Sequence, residues 1–286
     1  GVCVRLRRLH RVAQEVDVMT SLISPRTLIE AFLPAAGDVD LLCIYDTANQ
    51  VGIEDQPVRL ALRRLIAVGD IEQHGRGRAG RIWLTDVGRS RLASDRLAVQ
   101  LAFAQDAGHA PWGGKWRLLG FSAPESERAI RDAFRRDVTA LGAAALSTGL
   151  YVTPHDLSSL VSPQAVPYLV TAEAETLTVR GLTEPREIVE HLWPADATID
   201  AYSVIARTVA FGSNEIAHLS EAAALTRQLH LAEALEHALR NDPLIPHELR
   251  VGRWEPAHLR RRWLESWHEA RRQSGGDLIY RGWLPE

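Results

Sequence analysis

A basic amphipathic helix that runs directly into a glycine-flanked hairpin leaves a chain few ways to fold, and residues 52–88 contain one. Across Asp55 to Val68, at about 100° per residue, Val58, Ala61, Leu62, Leu65 and Ile66 share one side. Gln56, Arg59, Leu60, Arg63 and Arg64 share the other. After Gly69, Ile71–His74 and Arg81–Thr85 read as two strands joined by Gly75-Arg76-Gly77-Arg78-Ala79-Gly80. This is the layout of a winged helix-turn-helix, in which the helix enters the DNA major groove and the hairpin touches phosphate. Arginine pairs with guanine, glutamine with adenine, and an apolar side chain meets the thymine methyl. Gln56, Arg59, Leu60, Arg63 and Arg64 are therefore the candidate reading residues. Arg76, Arg78 and Arg81, with no core to serve, are the candidate phosphate contacts. The competing reading of the helix alone is an amphipathic helix with a solvated arginine face. The tip superficially resembles a dinucleotide fingerprint, but it lies inside a hairpin and no helix follows it directly.

Composition narrows the rest. At about 100–200 residues per domain, 286 residues allow two or three domains. The net charge is −3, yet nine arginines face five acids between Asp55 and Arg96. A mildly acidic protein with a local basic module suits a specific DNA binder more than a non-specific one. Cys3 and Cys43 give neither a disulfide framework nor metal spacing, which predicts a reducing cytoplasm. No apolar run reaches the roughly 20 residues needed to span a membrane. Met19 is the only methionine, and residues 1–20 read as a leader or disordered extension.

The expected fold class is α+β in three parts. Residues 21–106 form the winged helix-turn-helix with a linker helix: Pro25–Phe32, Val39 to Asn49, the helix above, and Gly88 to Gln105 after the wing. Residues 107–182 follow β-α-β-(α)-β, a small ferredoxin-like domain. Its strands are expected at Lys115–Phe121, Gly149–Val152, Val166–Thr171 and Leu177–Arg180, its helices at Pro124 to Leu141 and Leu157–Leu160. Residues 183–286 read as a helical domain for dimer and effector, with helices Arg186–Trp193, Asp196–Phe211, Asn214–Arg240 and Pro256–Arg272.

Four blocks in order resemble the PaaX family of bacterial phenylacetate-degradation repressors. They are Gly52-Ile53 with Val58-Arg59, Ala61, Arg64-Leu65 and Gly69; Trp112-Gly113-Gly114-Lys115-Trp116-Arg117-Leu118; Gly142, Leu146, Gly149-Leu150-Tyr151-Val152 and Pro154-His155-Asp156; and Asp242-Pro243-Leu244, Pro246, Glu248-Leu249, Trp254 and Leu259-Arg260. The resemblance runs from about residue 22 to 272. Departures are Gln56, where the family often has Arg, and Asp40 and Asp70, where it often has Trp. The resemblance implies a homodimeric repressor that binds a double-stranded DNA operator and is released by an acyl- or aryl-coenzyme A thioester. It also implies that the ferredoxin-like domain is akin to the small CRISPR-associated nuclease fold. No tightly bound cofactor is expected.

A thioester of that kind needs cations for its phosphates and an apolar slot for its acyl group. Arg117, Tyr151, His155, Arg180, Trp193 and Tyr202 are the candidates, each also readable as core aromatic or surface arginine. His155 has a second reading as a turn residue, with Asp156 capping the next helix. His247, His258 and His268 lack metal-ligand spacing. One alternative from another class is a metal-dependent nuclease on the middle domain. Against it, the first strand there ends Gly120-Phe121-Ser122, with no carboxylate for a divalent ion. Another is a protein-interaction module with a vestigial winged helix.

Overall fold

Ser24 opens the first helix, α1 (Pro25–Phe32): its hydroxyl accepts from the Thr27 amide at 3.0 Å and Pro25 sits in the first turn, a start both residues favour. The computed structural model describes residues 23–212, 221–273 and 279–283; the leader expected over 1–20 lies outside them. A short strand, β1 (Asp38–Asp40), precedes α2 (Leu41–Gln50), so the helix expected from Val39 starts at Leu41 instead. At Gly52, φ 78°, the chain leaves α2, and the Gly52 and Ile53 amides return to the Asn49 and Ala48 carbonyls. A left-handed residue just past a helix is what glycine supplies at least cost, and it turns the chain into α3 (Asp55–Ala67). The hairpin strands are β2 (Ile71–His74) and β3 (Arg81–Leu84). With β1 they make an antiparallel sheet in the order β1-β3-β2, Asp38 opposite Trp83 and His74 opposite Arg81. Leu28 and Ile29 of α1, Ile44 of α2, Val58, Leu62 and Leu65 of α3, and Ile71 and Ile82 of the hairpin are all buried. Ile66 is not: at 40 % exposure it leaves the apolar face that its helical position predicts.

The helix after the wing, α4, runs Asp86–Asp106. Arg91 on it ties three elements together, donating to Asp70 at 2.8 Å, to Glu30 of α1 at 2.7 Å and to Asp95 at 2.8 Å. Asp70, one of the departures from the family pattern, is thereby a buried anchor at the foot of β2.

The described chain divides into two compact units. One takes the residues up to Gln100, Ile205–Glu236 and those from Arg261 on; the other takes Leu101–Val204 and His237–Arg260. The stretch 183–286 is thus divided between them. In the second unit, β4 (Trp116–Phe121), α5 (Arg128–Ala140), β5 (Ala144–Ser147), β6 (Leu150–Thr153) and β7 (Leu169–Ala174) form an antiparallel sheet in the order β5-β6-β4-β7, with α5 as the crossover. One face packs Leu119, Phe121 and Tyr151 against Phe134 and Val138 of α5. The other packs Trp116 and Val152 against Ile188 and Val189 of α6 (Pro185–Leu192) and Trp193. The strand expected at Val166–Thr171 begins only at Leu169, and Val166–Tyr168 is a 3-10 turn containing Pro167, which has no amide to give a ladder. Leu177–Arg180 is not a strand but half of a tight turn bridged Val179 to Leu182.

The expected helix Asp196–Phe211 is two helices, α7 (Ala195–Ala201) and α8 (Ser203–Gly212). Then come α9 (Glu221–Arg240) and α10 (Glu255–Gln273); the expected start of α9 at Asn214 lies outside the described residues. In the first unit Trp263 and Trp267 stack at 5.2 Å, and the Trp263 indole donates to the Leu231 carbonyl at 2.7 Å. Arg96 lies 4.3 Å from the Tyr280 ring centre, and the Trp283 indole donates to the Leu33 carbonyl. The chain is a mixed α+β protein with a sheet-bearing middle region and a helical C-terminal region. Among the described residues no helix is long and apolar enough to cross a membrane.

Candidate nucleic-acid interface and ligand cavity

The outward face of α3 follows from the burial of its other face. Val58, Leu62 and Leu65 are buried, which leaves Gln56, Arg59, Leu60, Arg63 and Arg64 exposed, Leu60 at 44 %. Arg59 leans back on Asp55 at 3.5 Å, one turn earlier. Among the described residues the side chains of Gln56, Arg63 and Arg64 have no partner.

The hairpin tip is less free than its glycines suggest. Gly77–Ala79 forms a 3-10 turn, and the Gly80 carbonyl accepts from the Leu41 amide at the start of α2, at 2.8 Å. Arg78 is folded against the helices, donating to Asp46 at 2.5 Å and Asp55 at 3.2 Å and lying 5.5 Å from the Tyr45 ring centre. Arg81 pairs with Asp38 at 2.8 Å and Asp40 at 3.3 Å. These are exposed pairs, weak in water and open to exchange for another anion. Arg76 is exposed and, among the described residues, unpaired. Asp38 and Asp46 carried no signal in the sequence, and Asp40 and Asp55 none as partners of the hairpin arginines, yet the four set how much positive charge this face shows.

The six candidate ligand residues fall into two groups. Tyr151, Arg180 and Trp193 line a cavity of about 700 Å³ in the second unit, together with Arg135, Leu146, His191, Leu192, Arg240 and Asp242. Arg117, His155 and Tyr202 are not on it. Arg117 pairs with Glu173 at 3.1 Å. His155 reaches the Pro243 carbonyl at 3.3 Å, and burial, opposed by that hydrogen bond and by Asp242, holds its pKa below the usual histidine value. Asp156 accepts from the amide and hydroxyl of Ser158, so it organises the short turn that follows. Tyr202 donates to Asp242 at 2.7 Å inside a buried network around Arg260.

Two further features fix the cavity. Gly142, φ 88°, closes α5, and a Cβ there would come within 2.7 Å of the Pro243 carbonyl. The Gly142 carbonyl accepts from the Trp193 indole at 2.9 Å, which holds that ring against the wall. Among the described residues, no group of three His, Cys, Asp or Glu side chains is placed to hold a metal ion.

Residues 109–189 match the family model described as the PaaX protein central Cas2-like domain. No curated protein matches the chain. A solved structure titled "Uncharacterized protein Rv0674 from Mycobacterium tuberculosis" is similar in fold, with a TM-score of 0.54 and 18 % identity over 89 % of this chain and 98 % of that one.

Proposed function

We propose, from the match of residues 109–189 to the PaaX central Cas2-like domain, that this chain is a PaaX-type DNA-binding transcriptional regulator and not an enzyme. The supporting observation is the pairing of an exposed Gln56-Arg59-Leu60-Arg63 face on α3 with an adjoining basic hairpin. Three packed helices followed by an antiparallel hairpin suit a winged helix-turn-helix, with α3 in the major groove. The strand order β5-β6-β4-β7 with one crossover helix suits a ferredoxin-like middle domain.

In this reading two subunits present α3 to half-sites about 34–36 Å apart, or a multiple. Gln56, Arg59, Leu60, Arg63 and Arg64 contact bases or neighbouring phosphates. Arg76 is already unpaired among the described residues, while Arg78 and Arg81 exchange their aspartates for phosphate as DNA arrives. The exchange lowers the net gain from each of these two contacts, so base reading falls chiefly to α3. An acyl- or aryl-coenzyme A thioester releases the operator. By linkage it then binds the free protein more tightly than the DNA complex, by the factor by which it weakens DNA binding.

The test is titration of a labelled duplex from the protein's own upstream region. Arg59→Ala or Arg63→Ala is expected to weaken specific binding by about 1–3 kcal/mol and to relax preference at one base pair. Arg76→Ala should weaken specific and random DNA alike and lower the salt slope by about one unit. Unchanged affinity in both α3 variants would remove this helix from the reading role. Turnover of labelled duplex with Mg²⁺ would instead favour the nuclease reading.

A further inference from the structure

Strand β2 lies at the edge of the hairpin sheet, and among the described residues no strand pairs with its outer side. An open edge is a row of amides and carbonyls ready to pair with another strand. The Thr85 amide donates to the Asp70 carbonyl at 3.1 Å, and bonded and non-bonded pairs alternate along an antiparallel ladder. Glu72 and His74 therefore direct their backbone groups to β3, and Ile71 and Gln73 turn theirs outward.

The ground beside this edge is apolar. A groove along β2 is walled by Ile66, Trp83 and Val87. Val87 is 63 % exposed, and Val68, just before the turn at Gly69, is 66 % exposed. Exposed apolar groups gathered in one place mark a contact surface, where singly they would mean nothing.

The sequence of the strand selects the occupant. Glu72 and His74 flank Gln73 and share the face of the sheet that carries Trp83, opposite buried Ile71 and Ile82. Neither side chain has a partner among the described residues. The outward groups of Ile71 and Gln73 restrict how an antiparallel copy can align. With Glu72 on the two-fold axis, carboxylate meets carboxylate. With His74 on it, the strands overlap at a single residue. With Gln73 on it, Glu72 of each copy faces His74 of the other. Like charges directly opposite destabilise a sheet and complementary pairs support it. An imidazole has an N–H to give a carboxylate in either charge state.

We propose that β2 pairs with β2 of a second copy of this chain, antiparallel about an axis through Gln73, joining two hairpin sheets into one. Each copy brings the same edge, so the contact closes on itself. A four-residue edge buries less than the roughly 1,200 Å² of a stable interface, so the pairing is weak in free solution and strong between copies already held close. It supplies a contact between copies that the DNA-binding reading leaves unnamed, and it needs no DNA.

Disulfide trapping of the whole chain without DNA tests it. With Cys3 and Cys43 replaced by serine, Gln73→Cys puts one thiol on the axis, where paired Cα atoms stand about 5.5 Å apart, within the span of a disulfide. A chain that keeps Cys43 alone, which is exposed, reports chance collision. The Gln73 thiol is expected to link two copies about tenfold faster than Cys43, the gain of a held contact over random encounter. His74→Glu sets carboxylate against carboxylate at both crossings and should slow linking about fivefold. Adding Glu72→Lys restores the attraction and should return the rate to within about twofold of the parent. Within each hairpin His74 faces Arg81 and Glu72 faces Trp83, so neither change sets like charges together and the melting temperatures should agree. Linking no faster than through Cys43, or equal rates in the two charge variants, overturns the proposal. So does a Gln73 thiol that fails to link yet resists a soluble thiol reagent, which would mean that a different segment covers the edge. Failure here leaves the Arg59 and Arg63 titration untouched, because no DNA takes part.

Discussion

Replacing Arg260 by methionine is expected to destabilise the second unit by about 3–5 kcal/mol, the cost of removing one partner from a buried charge network. Only 1 % of the Arg260 side chain is exposed, and it fills four acceptor sites. Its Nε and Nη2 grip both oxygens of Asp106 at 2.7 and 2.6 Å, and its Nη1 donates to the Tyr202 hydroxyl at 2.5 Å and to Asp242 at 3.3 Å. Asp242 is itself 2 % exposed and Asp106 16 %. Burial alone would raise the Asp106 pKa, but the hydrogen bonds and charge of Arg260 and His247 outweigh it and hold the carboxyl below its usual value. A depressed carboxylate contributes stability above its unfolded pKa and loses it as pH falls through the folded one. Without Arg260 that contribution reverses. The gap between parent and variant should therefore be widest near neutrality and should narrow in acid, where Asp106 sheds its charge. Urea unfolding at neutral and at acid pH measures both effects. A loss under about 1 kcal/mol would mean that solvent already screens the network as it does a surface pair. Adding Asp106→Asn should recover part of the loss, and a strictly additive double variant would show that the two side chains do not interact.

Which parts of this architecture the sequence could display follows from the range of each signal. Helix α3 and strand β3 lie where 3.6- and 2-residue periodicities place them, because each buries one face and periodicity records a buried face, while β2, with only Ile71 buried, is marked by the turn at Gly69 before it. β1 has three residues and no pattern to read. The break between α7 and α8 falls at Tyr202, where no proline or glycine marks it and where the hydroxyl is drawn to Asp242, 40 residues away. The state of the hairpin arginines was equally hidden. Arg78 meets Asp46 and Asp55 across 32 and 23 residues, a contact that only the packing of the tip on α2 and α3 creates.

Of the six residues expected to meet a ligand, the structure brings three to one cavity. Tyr151, Arg180 and Trp193 line the cavity, while Arg117, His155 and Tyr202 do work elsewhere. Arg135 and Arg240 were missed because each lies in a helix, where an isolated arginine reads as a solvated face. Arg180-Gly181 between Val179 and Leu182 was the one local signal available, a tight-turn dipeptide with the wrong first residue.

Gly88→Ala separates local propensity from packing most sharply, because the two predict opposite signs. Gly88 is the third residue of α4, where alanine is favoured over glycine by about 1 kcal/mol in a helix interior. The surroundings forbid it. A Cβ at Gly88 would lie 1.9 Å from the Asp70 carbonyl oxygen, 2.6 Å from its carbon and 2.9 Å from its Cα, all backbone. Asp70 has little room to yield. Its carbonyl accepts from the Thr85 amide at 3.1 Å, its carboxylate is held by Arg91 at 2.8 Å, and Arg91 is held in turn by Glu30. The Gly88 amide donates to the Thr85 hydroxyl at 3.0 Å, which fixes the first turn of α4 from the other side. Either α4 or the foot of β2 must move, and the expected loss is about 3 kcal/mol or more, at the upper end for overpacking a rigid site. Gly113→Ala supplies the contrast: a Cβ there meets nothing within 4 Å, so its effect should stay within about 0.5 kcal/mol. Since β2 carries the hairpin, the Gly88 variant should also bind DNA less well than its remaining folded fraction accounts for, if the hairpin contacts phosphate. Parallel melting of the two alanine variants decides the first point. A Gly88→Ala protein as stable as Gly113→Ala would show that the turn between β3 and α4 relaxes freely, and that the close approach to Asp70 does not govern how the hairpin is held.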